Sequence, residues 1–273
     1  MKQLFPITLF FAAIASAQDP AFEKPAYDAP MPMRLEVGTY HSYAGKDYGY
    51  WRGADAQLWI RYSTKFIPVL MIDTQTRPGG TQQSFGFFSY MNWTKSFYTT
   101  QGMSFAPQLS PFGTPQPIFF PKQRYDGKAY FKVPSNPSLV LDAGITYLDY
   151  GGVTKGQIFS GGFIYYPKKM VIDGNLFINH NQPGGKVSAA GSASMQYGRE
   201  GKYWLGATIS GGHEAYRSMG ATPVDVNLNG YSAQVFFRKW ISRHTGFVLS
   251  VDHQTKFSAY SRIGMAGKMF FEF

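Results

Sequence analysis

Residues 186–201 read KVSAAGSASMQYGREG, and their alternation decides the fold. Val187, Ala189, Gly191, Ala193, Met195 and Tyr197 fall on one side of an extended chain; Ser188, Ala190, Ser192, Ser194 and Gln196 fall on the other. Successive side chains of a strand point to opposite faces, so this segment has one apolar face and one small, polar face. The next segment repeats the arrangement, with Tyr203, Leu205, Ala207 and Ile209 opposing Trp204, Thr208, Ser210 and Glu214. Further on, Phe247, Leu249 and Val251 oppose Ser250, Asp252 and Gln254. A soluble sandwich also alternates, so length is the discriminator. Runs of about 10–12 residues suit a tilted strand that crosses a membrane, whereas soluble strands average about 5–6.

Composition points the same way. Aromatic residues make up 18% of the 273-residue chain and charged residues only 15%, with 30 glycines and 19 tyrosines. A soluble domain is roughly a quarter charged. After residue 17 no stretch is apolar enough, for long enough, to form a membrane helix of about 20 residues. Low charge, many aromatics and no spanning helix leave the transmembrane β-barrel as the economical class. The formal net charge of +10 raises nucleic acid as a partner, but the basic residues are spread along the chain and many sit in turns, such as Lys168-Lys169. They read as solvated turn and rim charges, and no nucleic-acid partner is expected.

The period-two parse gives strands near 33–44, 51–63, 66–77, 82–93, 97–107, 122–133, 138–150, 156–166, 170–181, 186–198, 203–215, 226–240, 244–256 and 262–273. The expected fold is all-β: a single transmembrane antiparallel up-and-down barrel of about 14 strands, within a range of 12–16. Pro68 and Pro134 make the strands at 66–77 and 122–133 the weakest of the set. With both termini in the periplasm, the long connections at 108–121 (QLSPFGTPQPIFFP) and 216–225 (YRSMGATPVD) fall outside, and the short ones (YPKK, GREGK, ISRH) fall in the periplasm. The same parse puts Trp93, Tyr166, Tyr203 and Trp240 in a periplasmic aromatic girdle and Tyr43, Trp51 and Tyr147 in an outer one.

The first residues, MKQLFPITLFFAAIASAQDP, combine a basic Lys2, an apolar stretch from Leu4 to Ile14 and the small triplet Ala15-Ser16-Ala17. This is the pattern of a secretory signal peptide over 1–17, cleaved before Gln18. Residues 18–32 read as a short periplasmic leader and 33–273 as the barrel, so the expected location is the outer membrane of a Gram-negative cell. The absence of cysteine removes disulfides, thiolate metal sites and a cysteine nucleophile. No metal site and no cofactor are expected, because no phosphate loop, paired metal ligands or nucleophile elbow is present.

Catalysis has one candidate, His213-Glu214 with Ser210 and Ser218. His213 shares the outward face of its strand while Ser210 and Glu214 point inward, and a base cannot take a proton across the strand. The chain is therefore read as a non-enzyme. In this register His41, His180, His213 and His253 all point outward near the extracellular ends of odd-numbered strands. An amphipathic imidazole is tolerable at a girdle; the sharper reading is a rim that becomes cationic near pH ~6.5 and contacts lipopolysaccharide phosphates. The lumen face is the better functional surface. Arg34, Glu36, Asp55, Trp59, Arg61, Asp142, Asp173, Trp204, Glu214, Arg238, Asp252 and Lys268 are expected to line it, with Phe177 and Phe236. Charges of both signs imply a hydrated interior with a mixed salt-bridge network. Aromatic faces among hydroxyls and amides suit saccharides.

LVLDAGITYLDYGG (139–152), GATISGGHEAY (206–216) and the closing GYSAQVFFRKWISRHTGFVLSVDHQTKFSAYSRIGMAGKMFFEF (230–273) resemble the YaiO-type outer-membrane β-barrel family. The likeness covers most of the mature chain through glycine-aromatic strand patterns, and it brings no catalytic residues. It implies a link to exopolysaccharide synthesis or export, although the chain has no room for the helical-repeat domain of larger exporters. The expected function is thus a porin-like pore or export channel for polar solutes or saccharides. The alternatives are a non-conducting structural barrel that contacts lipopolysaccharide, and an outer-membrane lipid hydrolase. The final run puts Ile263, Met265, Met269, Phe271 and Phe273 toward lipid. It reads as the closing strand, paired with the first, and its Phe271 and Phe273 resemble the signal recognised by the barrel-assembly machinery.

Overall fold

A strand in hydrocarbon has no water to satisfy its N–H and C=O groups, so each must pair with a neighbour and the sheet must close. The computed structural model does this. It describes residues 31–45, 48–61, 63–108, 119–152, 155–182, 186–212, 215–216, 225–226, 230–256 and 260–273. The signal-peptide span and the leader as far as residue 30, together with His213 and Glu214, lie outside the described residues.

Fourteen antiparallel strands form one closed barrel. In chain order they are β1 (Met33–Ala44), β2 (Gly49–Ile60), β3 (Phe66–Arg77), β4 (Gly80–Asn92), β5 (Phe97–Phe105), β6 (Gln123–Val133) and β7 (Asn136–Asp149). These are followed by β8 (Lys155–Tyr165), β9 (Met170–Gln182), β10 (Lys186–Arg199), β11 (Tyr203–Gly212), β12 (Gly230–Trp240), β13 (Thr245–Lys256) and β14 (Tyr260–Glu272). Every strand pairs with its neighbour in sequence, and β14 pairs with β1 from Arg34–Glu272 to Ala44–Arg262. Beyond that ladder, the Phe273 carbonyl accepts from the Met33 N–H at 2.8 Å and the Phe273 N–H donates back at 3.0 Å. Among the described residues there is no helix long and apolar enough to cross a membrane.

The strand count agrees with the period-two parse, and the differences lie at the ends. β2, β4, β7 and β14 begin two residues earlier than the pattern suggests. Glycine explains two of these cases: Gly49 (φ 66°) and Gly80 (φ 138°) adopt backbone angles that let the ladder run almost into the turn. β11 stops at Gly212 and β12 starts at Gly230, so the connection between them is longer than expected and contains a two-residue ladder, Ala215–Tyr216 with Asp225–Val226. Pro68 is accommodated one residue beyond the last β2–β3 pair, Trp59–Val69, where a missing N–H costs that ladder nothing. Pro134 sits in the turn between β6 and β7.

The start of β1, the end of β14 and the turns after β2, β4, β6, β8, β10 and β12 share one mouth, called here the turn end. The connections after β5 and β11 lie at the other, the loop end. Exposed Leu176, Ile178, Val187, Ile209, Leu249, Val251, Met265 and Met269 cover the outer surface. The inner surface carries large side chains over glycines: Phe236 lies over Gly206 and Phe270 over Gly246, where a Cβ would collide with the ring. Val171, Trp204, Phe236, Trp240, Val248 and Phe270 form one inner apolar cluster near the turn end. Trp59, Ile67, Val69, Met71, Phe88 and Tyr90 form another on the facing wall.

Candidate functional site

The lumen is organised in three levels. At the turn end, β1 places Arg34 two residues before Glu36, so both point inward. Arg34 Nε donates to Glu272 Oε1 at 2.6 Å, and its Nη2 donates to Glu200 Oε1 at 2.8 Å. Arg238 Nη2 donates to Glu36 Oε1 at 2.9 Å, and Arg61 stands 3.6 Å from Glu272. Indoles complete the set: Trp204 Nε1 donates to Glu200 Oε2 at 3.2 Å and Trp240 Nε1 to Glu272 Oε2 at 3.3 Å. The Arg34 and Arg238 guanidiniums also lie 5.4 and 5.2 Å from the Phe270 ring centre. Three arginines therefore face three glutamates, and aromatic rings shield all of them but the partly exposed Glu200 from water.

Glu200 belongs to the turn between β10 and β11. Burial raises its pKa, but the charges of Arg34, Arg61 and Arg238 and the Arg34 hydrogen bond outweigh that and hold the carboxyl below its ordinary range. Arg61, just past the end of β2, is pressed down to about 10 by burial and by the Arg34 charge beside it.

The middle level is a polar belt. Lys128 Nζ reaches Asp142 Oδ1 at 2.7 Å and Asn175 Oδ1 at 2.8 Å; Asn175 and Ser194 both donate to Asp173, at 2.8 and 2.7 Å. This chain links β6, β7, β9 and β10 across the interior. On the opposite wall Lys268 pairs with Asp55, and the Tyr40 hydroxyl donates to Asp73 at 3.0 Å. Between these walls runs a laterally paired row of neutral groups, Asn175–Ser192–Ser210–Ser232–Gln254. Ser194–Thr208–Gln234 forms a second row beside it. Ser210 and Ser232 share a hydroxyl hydrogen bond of 2.6 Å, while Ser192 Oγ and Gln234 Oε1 are buried without a hydrogen-bond partner among the described residues.

At the loop end, the far end of the β5–β6 connection turns inward. Phe119 and Phe120 are buried, and their backbone N–H groups donate to Gln82 Oε1 at 2.6 and 2.8 Å. Arg77 lies 3.6 Å from the Trp51 ring centre and 5.0 Å from that of Phe119. Arg262 pairs with Asp252 at 2.8 Å nearby.

Of the residues singled out from sequence, Arg34, Glu36, Asp55, Trp59, Asp142, Asp173, Trp204, Arg238 and Lys268 are buried on the lumen side. Arg61 and Asp252 stand at the two mouths of the lumen, and Glu214 lies outside the described residues. Arg34, Glu36, Arg61, Trp204 and Arg238 come together; Asp142 and Asp173 join through Lys128 and Asn175. On the lipid side, His41 is exposed and His180 and His253 are partly exposed near the loop end. His253 Nε2 is 2.9 Å from Ser261 Oγ, and His213 is not described. Phe271 and Phe273 are exposed at the turn end.

The girdle assignment needs correction. Trp51 and Trp240 are buried at 3% and 4% exposure, and Tyr166 packs on the inner cluster around Trp204. A strand-end aromatic can face either side, and parity with Asp55 and Arg238 turns these two indoles inward. The outward rings include Tyr43 against Tyr50 and Tyr147 against Tyr125 at the loop end, and Trp93 with the contiguous series Tyr197, Tyr203, Phe237 and Phe247 at the turn end. The mixed-sign ion pairs gather with aromatic rings at the turn end. Glu200, Lys128 and Gln82 were missed. An acid between glycines in a short turn, GREG, is the signal that could have found Glu200.

The family model described as YaiO membrane β-barrel domain matches residues 33–217. No curated protein matches the chain by sequence. A TodX deltaS2S3 mutant monoaromatic hydrocarbon channel superimposes with a TM-score of 0.58 at 11% identity, covering 97% of this chain and 96% of that one. A bacterial polysaccharide outer membrane secretin gives 0.52 at 9% identity, over 90% of this chain and 100% of that one. The Acinetobacter baumannii outer membrane protein Omp33 gives 0.50 at 12% identity, with 90% and 100% covered. These likenesses are of fold.

Proposed function

The chain belongs to the YaiO membrane β-barrel domain family, and on that premise we propose that it is an outer-membrane conduit for neutral polar solutes, saccharides foremost. The observation that carries this reading is the uncharged hydroxyl and amide row on β9 to β13, from Asn175 through Ser192, Ser210 and Ser232 to Gln254. Apolar rings flank it, Phe177 on the loop side and Phe236 with Trp204 on the turn side. A sugar presents the matching pattern of polar edges and an apolar ring face. Export through a cleaved signal peptide over 1–17, with 18–32 as leader, would put the turn end in the periplasm and the loop end outside.

The same reading is non-enzymic. The Ser210 hydroxyl is engaged by Ser232 inside the barrel, away from lipid. At the outer rim, His41, His180 and His253 are the groups offered to lipopolysaccharide. A second reading, a barrel that never conducts, is favoured by the filled turn end. Single-channel recording in planar bilayers separates the two. Discrete openings, reduced by added oligosaccharide, are expected of the conduit. A closed trace at every voltage and pH would leave only the structural barrel.

A further inference from the structure

Of the three carboxylates at the turn end, two stand on strands and are buried: Glu36 on β1 and Glu272 on β14. Glu200 alone comes from a turn, and its side chain is 39% exposed. It nevertheless receives separate donors on its two oxygens, Arg34 Nη2 on one and Trp204 Nε1 on the other. That is the contact set a bound carboxylate would make: a guanidinium and an indole N–H on a planar pair of oxygens.

Charge makes this position exchangeable. Arg34, Arg61 and Arg238 balance Glu36, Glu200 and Glu272 one for one. A further anion added to the group would leave a net negative charge among buried side chains, whereas one that replaces Glu200 preserves the balance. Arg61 has capacity to spare. Its ion-pair contact with Glu272 is 3.6 Å, and among the described residues its Nη2 is buried without a hydrogen-bond partner. A guanidinium carries five donors in a fixed fork, so this buried Nη2 has the capacity to take a further acceptor. The turn itself is closed by the Lys202 N–H donating to the Arg199 carbonyl at 3.1 Å, with Gly201 at φ 81°, so release of Glu200 needs only its partly exposed side chain to swing out.

We propose that Arg34, Arg61 and Arg238, with the Trp204 indole, form a binding site for a carboxylate-bearing solute, held in the closed barrel by the chain's own Glu200. The incoming carboxylate takes the Arg34 and Trp204 donors, engages the buried Arg61 Nη2, and releases Glu200 to the aqueous mouth. The site rests on geometry alone. That exchange at it opens the lumen rests on the conduit reading above.

The experiment titrates tryptophan fluorescence of the refolded barrel with D-glucuronate, using D-glucose as the neutral control and inorganic phosphate as a second anion. Folding of every variant is checked by heat-dependent electrophoretic mobility. Glucuronate should saturate and glucose should not. Glu200→Gln removes the internal competitor and should tighten glucuronate binding at least about tenfold. Arg61→Gln should weaken it by a similar factor, with Arg61→Lys, which keeps the charge but not the fork, in between. Unchanged affinity in Glu200→Gln, an undiminished Arg61→Gln, equal binding of glucose, or binding of phosphate alone would each overturn the proposal. Because the chain has no cysteine, Ser232→Cys in the middle of the lumen supplies a single thiol. Faster maleimide labelling on adding glucuronate ties the exchange to opening. Binding without faster labelling leaves the site standing and removes the link between exchange and opening, while the conduit itself stands or falls on the single-channel trace.

Discussion

The two mouths of this barrel are narrowed by different physics. At the turn end, six full charges from β1, β12, β14, the end of β2 and one turn lock together under aromatic rings. At the loop end, one neutral side chain, Gln82, holds Phe119 and Phe120 by their backbone, and Arg77 stacks between Trp51 and Phe119. The first arrangement draws its parts mostly from strands, whose positions the barrel fixes. The second pins the described ends of a connection, helped by Gln108 donating to the Tyr150 carbonyl at 3.0 Å. Charges in a water-poor setting hold strongly but fail badly when one partner is lost, while a neutral amide holds modestly and fails locally.

The largest contrast comes from the seam beside the turn end. Deleting Phe273 removes the last reciprocal rung with Met33 and the terminal aromatic. Most of the chain should then fail to reach the inserted, heat-modifiable form in cells, a loss read by comparing folded and unfolded bands. Full insertion of the truncated chain would dismiss the assembly role. Next, Arg34→Met leaves Glu200 and Glu272 without their main partner, and should cost about 3–5 kcal/mol in urea unfolding from phospholipid vesicles. A cost below about 1 kcal/mol would mean that the turn end is no tighter than a surface ion pair. The smallest effect belongs to Gln82→Ala, which removes the acceptor of two buried N–H groups; the connection relieves them by opening to water, so the cost to the barrel stays below about 1 kcal/mol. It should speed proteolytic cleavage in the β5–β6 connection while leaving global unfolding almost unchanged. If it destabilised the barrel as much as Arg34→Met, the distinction between the mouths would collapse.

The strands were legible because lipid and lumen impose opposite chemistry on alternate residues, as in Val187 to Tyr197 against Ser188 to Gln196. Strand ends were less so, since Gly49 and Gly80 extend ladders by geometry that polarity does not report. The inward positions of Trp51 and Trp240 were readable by parity with Asp55 and Arg238, but interface aromatics set a competing expectation. What no pattern in one strand could reveal was pairing across the interior. Arg34 and Arg238 are visible as inward charges; that they meet Glu200 and Glu36 follows from closure of the sheet. Lys128 and Asn175 sit on strands with two others between them, and only the curvature of the wall brings them within 2.8 Å.

The order in which the chain is made gives the turn-end cluster a second meaning. Arg34 and Glu272 are 238 residues apart, Asp55 and Lys268 are 213, and Glu36 and Arg238 are 202. None of these bonds can form early, and contacts of such long sequence separation come late in folding. A barrel halted before β14 docks would hold Arg34, Arg61 and Arg238 against Glu36 and Glu200 at the turn end, with Asp55 still lacking Lys268 higher in the lumen. Arrival of the last strand completes both sets at once, since Glu272 meets Arg34 and Lys268 meets Asp55.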